Sequence, residues 1–138
     1  MAGNIKLEVV TPEKSVVSED AKIVVAPGNL GDFGVLIGHT PFLSTLKAGS
    51  LRYIDANNTE RYVFISGGFA EALSDKVTVL AESAERRRDI DIQRAKTSLE
   101  RAQKRLADIS KKEDFDFMRA RTALERALHR IKIAGSRA

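Results

Sequence analysis

Ala84-Glu85-Arg86-Arg87-Arg88-Asp89-Ile90-Asp91-Ile92-Gln93-Arg94-Ala95 is the stretch at which this sequence changes character. Before it, apolar residues alternate in short runs broken by Gly, Pro and Asn; after it, neither Gly nor Pro occurs until Gly135. Charge changes sign at the same place. Residues 1–84 hold 7 Lys/Arg against 10 Asp/Glu, a net of −3, and residues 85–138 hold 16 against 9, a net of +7. This pattern predicts a mildly acidic β domain over 1–84 and a basic α domain over 85–138.

Outward from the junction on the N-terminal side, Ile5, Leu7 and Val9 alternate with polar neighbours, as do Ile23 and Val25. Leu51–Ile54, Arg61–Ile65 and Val77–Leu80 are further short runs, with Asn57-Asn58 a hairpin turn between two of them. Strands this short and closely spaced predict an antiparallel sandwich or barrel. The segment Pro27–Pro41 is rich in glycine, yet no Lys-Ser/Thr follows it and a strand comes next, so neither nucleotide fingerprint fits. Its glycines are expected to serve tight turns and close packing. Val35-Leu36-Ile37 and Phe42-Leu43 leave two readings open, core or projecting docking surface. His39, beside Thr40-Pro41, is expected to be a hydrogen-bonding structural residue, since no Ser or carboxylate is spaced to partner it.

On the C-terminal side the period is seven. Ile92, Leu99 and Leu106 are followed by three in each case by Ala95, Ala102 and Ile109; Phe117, Leu124 and Ile131 are likewise followed by Ala120, Ala127 and Ala134. Large residues opposite alanine predict two closely approaching antiparallel helices, each about 30 Å long. Asp89 is the expected N-cap of the first helix, and Ser110-Lys111-Lys112-Glu113 reads as the capping box of the second. So thin a seam makes the hairpin movable. Arg94, Arg101, Arg126 and Arg130 flank it, either as solvated surface or converging on an anion. Arg86–Arg88 reads as linker or solvated surface.

The composition excludes several classes. There is no Cys, hence no disulfide, thiolate chemistry or Cys-based metal site. No apolar run reaches the ~20 residues that span a bilayer, and Met1–Asn4 carries no mark of a secretory signal; a soluble protein of a bacterial cytoplasm is expected. No nucleophile–base pair or metal-ligand spacing points to an enzyme. A pI near 9.5 invites nucleic-acid binding, but Phe115 and Phe117 are the only aromatics after Phe69, too few for stacking platforms. A stand-alone nucleotide sensor is the other alternative, with the arginine cluster as its whole function.

Pro27-Gly28, Gly34-Val35-Leu36, His39-Thr40-Pro41, Ser66-Gly67-Gly68-Phe69-Ala70-Glu71, and Ala84-Glu85 before Ile90-Asp91 occur in one order and spacing. Together they resemble, essentially end to end, the epsilon-subunit family of bacterial F-type ATP synthases. The resemblance implies a sandwich of about ten strands and a helical hairpin that folds against it or extends. It implies a non-catalytic central-stalk subunit that couples ion-driven rotation to ATP synthesis, peripheral on the cytoplasmic face of the bacterial inner membrane. The implied partners are the gamma subunit and c-ring, reached through Gly31, Asp32, Phe33, Val35, His39 and Pro41. Extended helices are implied to meet the alpha and beta catalytic subunits and inhibit ATP hydrolysis. No cofactor is required, but some members bind ATP through a motif I/L-D-x-x-R-A, here Ile90-Asp91-Ile92-Gln93-Arg94-Ala95. The accompanying ATP positions match Glu85, Arg101, Arg126 and Arg130.

Overall fold

The computed structural model describes residues 3–108 and 114–135. Nine strands come first: β1 (Ile5–Val10), β2 (Ser15–Gly28), β3 (Gly31–Val35), β4 (Phe42–Leu46), β5 (Gly49–Asp55), β6 (Glu60–Ile65), β7 (Gly68–Ala72), β8 (Lys76–Ala81) and β9 (Ala84–Arg86). A single 3₁₀ turn (Arg87–Asp89) leads to helices α1 (Ile92–Asp108) and α2 (Asp114–Gly135). The chain is thus a β-sandwich followed by a helical hairpin, the expected class. Ala84, where the β domain was expected to stop, opens β9, which pairs with β6 through Val63↔Arg86 to Ile65↔Ala84.

β2 accounts for the difference between nine strands and the expected ten. It is 14 residues long. Its first half pairs with β1, and after a register shift between Ala21 and Ile23 it pairs with β5 and β3. One strand therefore serves both layers, and the bulge supplies the bend. The pairings are antiparallel except β1 with β8, aligned Lys6↔Lys76 to Val10↔Leu80. Parallel neighbours need a long connection, and the whole of β2–β7 lies between these two.

Alternation does the rest. Ile5, Leu7, Val9, Val17, Val24, Leu51, Val63, Ile65, Val77 and Val79 point inward and form one core. β3, β4, β7 and β9 were not individually visible in the sequence, being short, with β3 and β7 also carrying glycine. Gly68 shows why that glycine is needed. Its φ is +142°, and a Cβ there would lie 2.0 Å from the Leu80 carbonyl oxygen, so any side chain would part β7 from β8. Gly31, at the tip of the β2–β3 hairpin, has φ +129°.

Asp91, not Asp89, caps α1. Its Oδ1 accepts the Arg94 backbone N–H at 3.0 Å, and Asp89 belongs to the preceding turn. The alanine seam forms as expected: Ala95, Ala102, Ala120 and Ala127 are all buried between the helices. Ile92, the first residue of α1, and Phe117, in the first turn of α2, by contrast stay 43% and 40% exposed. Ile109 and the expected capping box at 110–113 lie outside the described residues. No described helix is long and apolar enough to cross a membrane.

The β5–β6 turn depends on one carboxylate. Asp55 Oδ1 accepts the N–H groups of Asn57 and Thr59, both at 2.9 Å, and Oδ2 accepts Arg61 Nε–H at 3.2 Å. These bonds, the Thr59 N–H foremost, hold the Asp55 carboxyl below its ordinary pKa. A depressed folded-state pKa gives stability that is present above the unfolded value of about 4 and is lost as pH falls through the folded one. Asp55→Asn is expected to lower the melting temperature at neutral pH, with the gap to wild type closing as pH falls below about 4. Thermal unfolding across that range checks this, and a gap independent of pH would disprove the assignment.

Candidate functional site

β6 is buried on both faces. Val63 and Ile65 face the sandwich core, while Phe64 faces outward and is covered by the hairpin. Phe64, Ile90 and Ile133 make a satellite cluster at 0%, 7% and 3% exposure, with Tyr62 and Ala134 at its margin. Each such side chain contributes about 1.5–3 kcal/mol when buried, so the hairpin is held to the sandwich by a small apolar contact. Arg130 closes its edge. Its Nε donates to Glu85 Oε1 at 3.1 Å, and its guanidinium carbon lies 4.3 Å from the Phe64 ring centre.

Beside this contact lies a cleft of about 180 Å³ lined by Glu85, Asp89, Asp91, Arg94, Ala95, Ser98 and Arg130. β9 contributes Glu85, the start of α1 contributes Asp91, Arg94 and Ala95, and α2 returns Arg130. Five of the eight residues expected to meet ATP are therefore together. Ile90 supports them from beneath, in the satellite cluster, and does not line the cleft. Arg126 lies apart, lining a separate hollow with Met118, Arg119 and Thr122. Arg101 is exposed on α1 and lines neither. Three carboxylates and two guanidiniums line the cleft as it stands, with Glu85 engaged by Arg130 and Asp91 by the helix cap. Among the described residues no cluster of His, Asp and Glu is placed to hold a metal.

The residues expected to face partner subunits divide. Gly31 and Asp32, at the start of β3, and Pro41, just before β4, are exposed. Phe33 is half-buried, edge-on to Phe42 at 5.1 Å between ring centres. His39 is structural, with Nδ1 2.6 Å from the Thr40 carbonyl oxygen and its ring tilted over Phe42. Val35 corrects the expectation: at 0% exposure it is inside the sandwich core and supports the segment from within. Of the two runs read as core or docking surface, Leu43 proves exposed, and it belongs to a wider apolar surface whose other residues the sequence did not single out. Pairing aligns Thr45, Phe69, Leu80 and Val10 across β4, β7, β8 and β1, with Leu43 one step along β4. Leu43, Phe69 and Leu80 point outward at 70%, 51% and 56% exposure, and Leu30, at the β2–β3 tip, is fully exposed. The signal was an apolar residue at both phases of the alternation in these strands.

A third cleft, about 250 Å³, separates α2 from the β4–β5 turn and is lined by Pro27, Lys47, Gly49, Ser50, Tyr62, His129 and Lys132 among others. The His129 imidazole is held below its ordinary pKa, first by burial and then by Lys132 and Lys47, with Glu125 acting in the opposite direction.

Comparison with known proteins assigns both halves of the chain to one family. The family description "ATP synthase, Delta/Epsilon chain, beta-sandwich domain" matches residues 4–87, and "ATP synthase, Delta/Epsilon chain, long alpha-helix domain" matches residues 88–135. The ATP synthase epsilon chain of Desulfosudis oleivorans is 62% identical over 106 residues, covering 77% of this chain and 80% of that one. The epsilon chain of Desulfatibacillum aliphaticivorans is 67% identical over 106 residues, covering 77% and 75%. Among solved structures, a chain of the Euglena gracilis mitochondrial ATP synthase OSCP/F1/c-ring assembly superposes with a TM-score of 0.78. It is 23% identical, covering 91% of this chain and 78% of that chain, and shows the fold.

The His129 cleft makes hairpin docking sensitive to acid. The docked form keeps His129 neutral at pH values where the released form takes up a proton, so docking is fully stable above the released-state pKa of about 6.5 and weakens as pH falls below it. Hydrogen exchange at α2 amides is expected to quicken between about pH 7.5 and 5.5 beyond its intrinsic trend, and His129→Gln to flatten the change. Identical profiles for the two proteins would remove His129 from the docking balance.

Proposed function

The chain belongs to the ATP synthase delta/epsilon family, and from that premise we propose how its two parts divide the work of a central-stalk subunit. It is the non-catalytic epsilon subunit of an F-type ATP synthase. The sandwich docks on the rotor, with the gamma subunit and c-ring as partners. The observation that carries this is the outward row of Leu43, Phe69 and Leu80. A contiguous apolar strip on a sheet face marks a protein interface, and the exposed residues Gly31, Asp32 and Pro41 are proposed to add to it. The subunit sits peripherally, on the cytoplasmic face of the bacterial inner membrane.

The hairpin is the regulatory part. Its contact with the sandwich rests on Phe64, Ile90 and Ile133, and its net charge of +7 over residues 85–138 suits acidic surfaces on the alpha and beta subunits. Released and extended, it obstructs rotation and inhibits ATP hydrolysis. A chain ending after Asp89 keeps β9 and the whole sandwich core. Such a chain is expected to join the assembled enzyme and to raise its ATP hydrolysis. Failure to assemble would overturn the sandwich's role, and unchanged hydrolysis in an assembled enzyme would overturn the hairpin's.

ATP is the ligand we assign to the cleft of Glu85, Asp91, Arg94, Ala95 and Arg130. Arg94 and Arg130 take the phosphates bidentately, and Arg126 and Arg101 complete the site by turning toward it. Ligand bound to the folded hairpin holds it closed, because a ligand at about 100 times its dissociation constant stabilises the state it binds by about 2.7 kcal/mol. Calorimetry on the isolated chain is expected to give saturable ATP binding that Arg94→Ala abolishes and Arg126→Ala weakens. No heat at millimolar ATP, or equal binding by wild type and Arg94→Ala, would overturn it.

A further inference from the structure

Arg61, Arg86, Arg87 and Arg88 line one cleft of about 210 Å³, with Thr59, Glu60 and Tyr62. It lies at the β5–β6 turn end of β6, whereas the hairpin covers Phe64 farther along the same strand. None of its lining residues is shared with the Glu85–Arg94–Arg130 cleft. The run Arg86–Arg88, a solvated linker by its sequence alone, is therefore folded back against the sandwich.

Two of these arginines are braced from behind. Arg61 Nε–H donates to Asp55 Oδ2 at 3.2 Å, and Asp55 is itself fixed by the turn it caps. Arg86 Nε–H donates to the Val16 carbonyl oxygen at 3.0 Å, and its Nη1 donates to Glu19 Oε1 and Tyr53 Oη, both at 3.3 Å. The Tyr53 hydroxyl in turn donates to Glu19. A guanidinium has five N–H donors, so these bonds hold each group in place and leave donors on its outer nitrogens. Arg87 lies over the Tyr62 ring, 5.9 Å from its centre, and Arg88 is exposed.

Around the cleft arginines outnumber carboxylates, four to three with Asp55 and Glu19 counted. Four arginines line it with one carboxylate, Glu60, which already accepts the Tyr62 hydroxyl at 2.9 Å and lies 3.9 Å from Arg52; Arg61 and Arg86 are each paired with one carboxylate, Asp55 and Glu19. Asp55 and Glu19 stand behind the arginines as braces. Bringing cations together costs repulsion that a multiply charged oxyanion offsets, and forked donors match its geometry.

We propose that this cleft binds a phosphate-class oxyanion, either free phosphate or the phosphates of a nucleotide, at a site separate from the hairpin cleft. Arg61 and Arg86 belong to the sandwich, while Arg87 and Arg88 belong to the turn that carries α1. An anion between them ties the base of the hairpin to the sandwich and restrains the turn through which the hairpin must pivot.

The test uses the full chain with three probes: sodium phosphate, inorganic triphosphate and ATP. Binding is followed by calorimetry and by the arginine Nε–H resonances. Inorganic triphosphate is expected to bind saturably and to move the Arg61 and Arg86 resonances. Arg88→Gln, at an exposed position that leaves the fold intact, is expected to weaken it about tenfold; Arg61→Gln weakens it further, and Arg94→Ala leaves it unchanged. Movement of those resonances by phosphate alone identifies free phosphate as sufficient, and movement by ATP but not by phosphate identifies the nucleotide as the source. No saturable binding of any probe, equal binding by Arg88→Gln, or loss in Arg94→Ala with retention in Arg88→Gln would overturn the proposal. The last outcome would leave the hairpin ATP site standing alone.

Discussion

Phe64 is the side chain on which the arrangement of the two domains depends. It points away from the core that its own strand helps to build, and a solvated phenyl ring there would cost about what its burial now contributes, some 2 kcal/mol. Ile90 and Ile133 cover it, and Arg130 lies across its face while bonded to Glu85. The three apolar residues come from β6, the segment before α1, and the end of α2, so a single contact positions both helices. It also creates the cleft, since Glu85 and Arg130 meet only because α2 returns to β9.

A contact of this size is small enough to be undone without unfolding the sandwich. The sandwich core is complete without the hairpin, and the alanine seam keeps the helices together by close approach more than by buried area. Releasing the hairpin from the sandwich exposes Phe64, Ile90 and Ile133 but leaves the sandwich core intact. Ligand, proton or partner therefore needs to supply only a few kcal/mol to move the balance, and His129 and Arg130 stand at its two edges.

Much of this was legible in the residues. The change of period and charge sign near Ala84 located the domain junction to within the short strand β9, and the heptad alanines are the residues that meet between the helices. Short glycine-interrupted strands such as β3 and β7 escaped, because Gly68 carries a constraint of close approach and not of periodicity. Within the site, Glu85, Asp91, Arg94 and Ala95 were readable together because they are near in sequence. Arg101 and Arg126 were not separable from them, since spacing along a helix does not fix which way its face turns relative to a sheet. Phe64 had a readable sign: Tyr62-Val63-Phe64-Ile65 is apolar at every position, as in strands covered on both sides. The same sign was present at Phe69-Ala70 and Val79-Leu80, whose outward side chains are left exposed.

The 14-residue β2 has a mechanical meaning. It is bonded to β1, β3, β4 and β5, so the two layers of the sandwich share one continuous rod. A twisting load applied to one layer reaches the other through covalent backbone and hydrogen bonds strained in shear, with no loop in the line of force. In a subunit that turns with a shaft, such a member behaves as a key between hub and axle. It gives torque a path across the sandwich that passes through no loop.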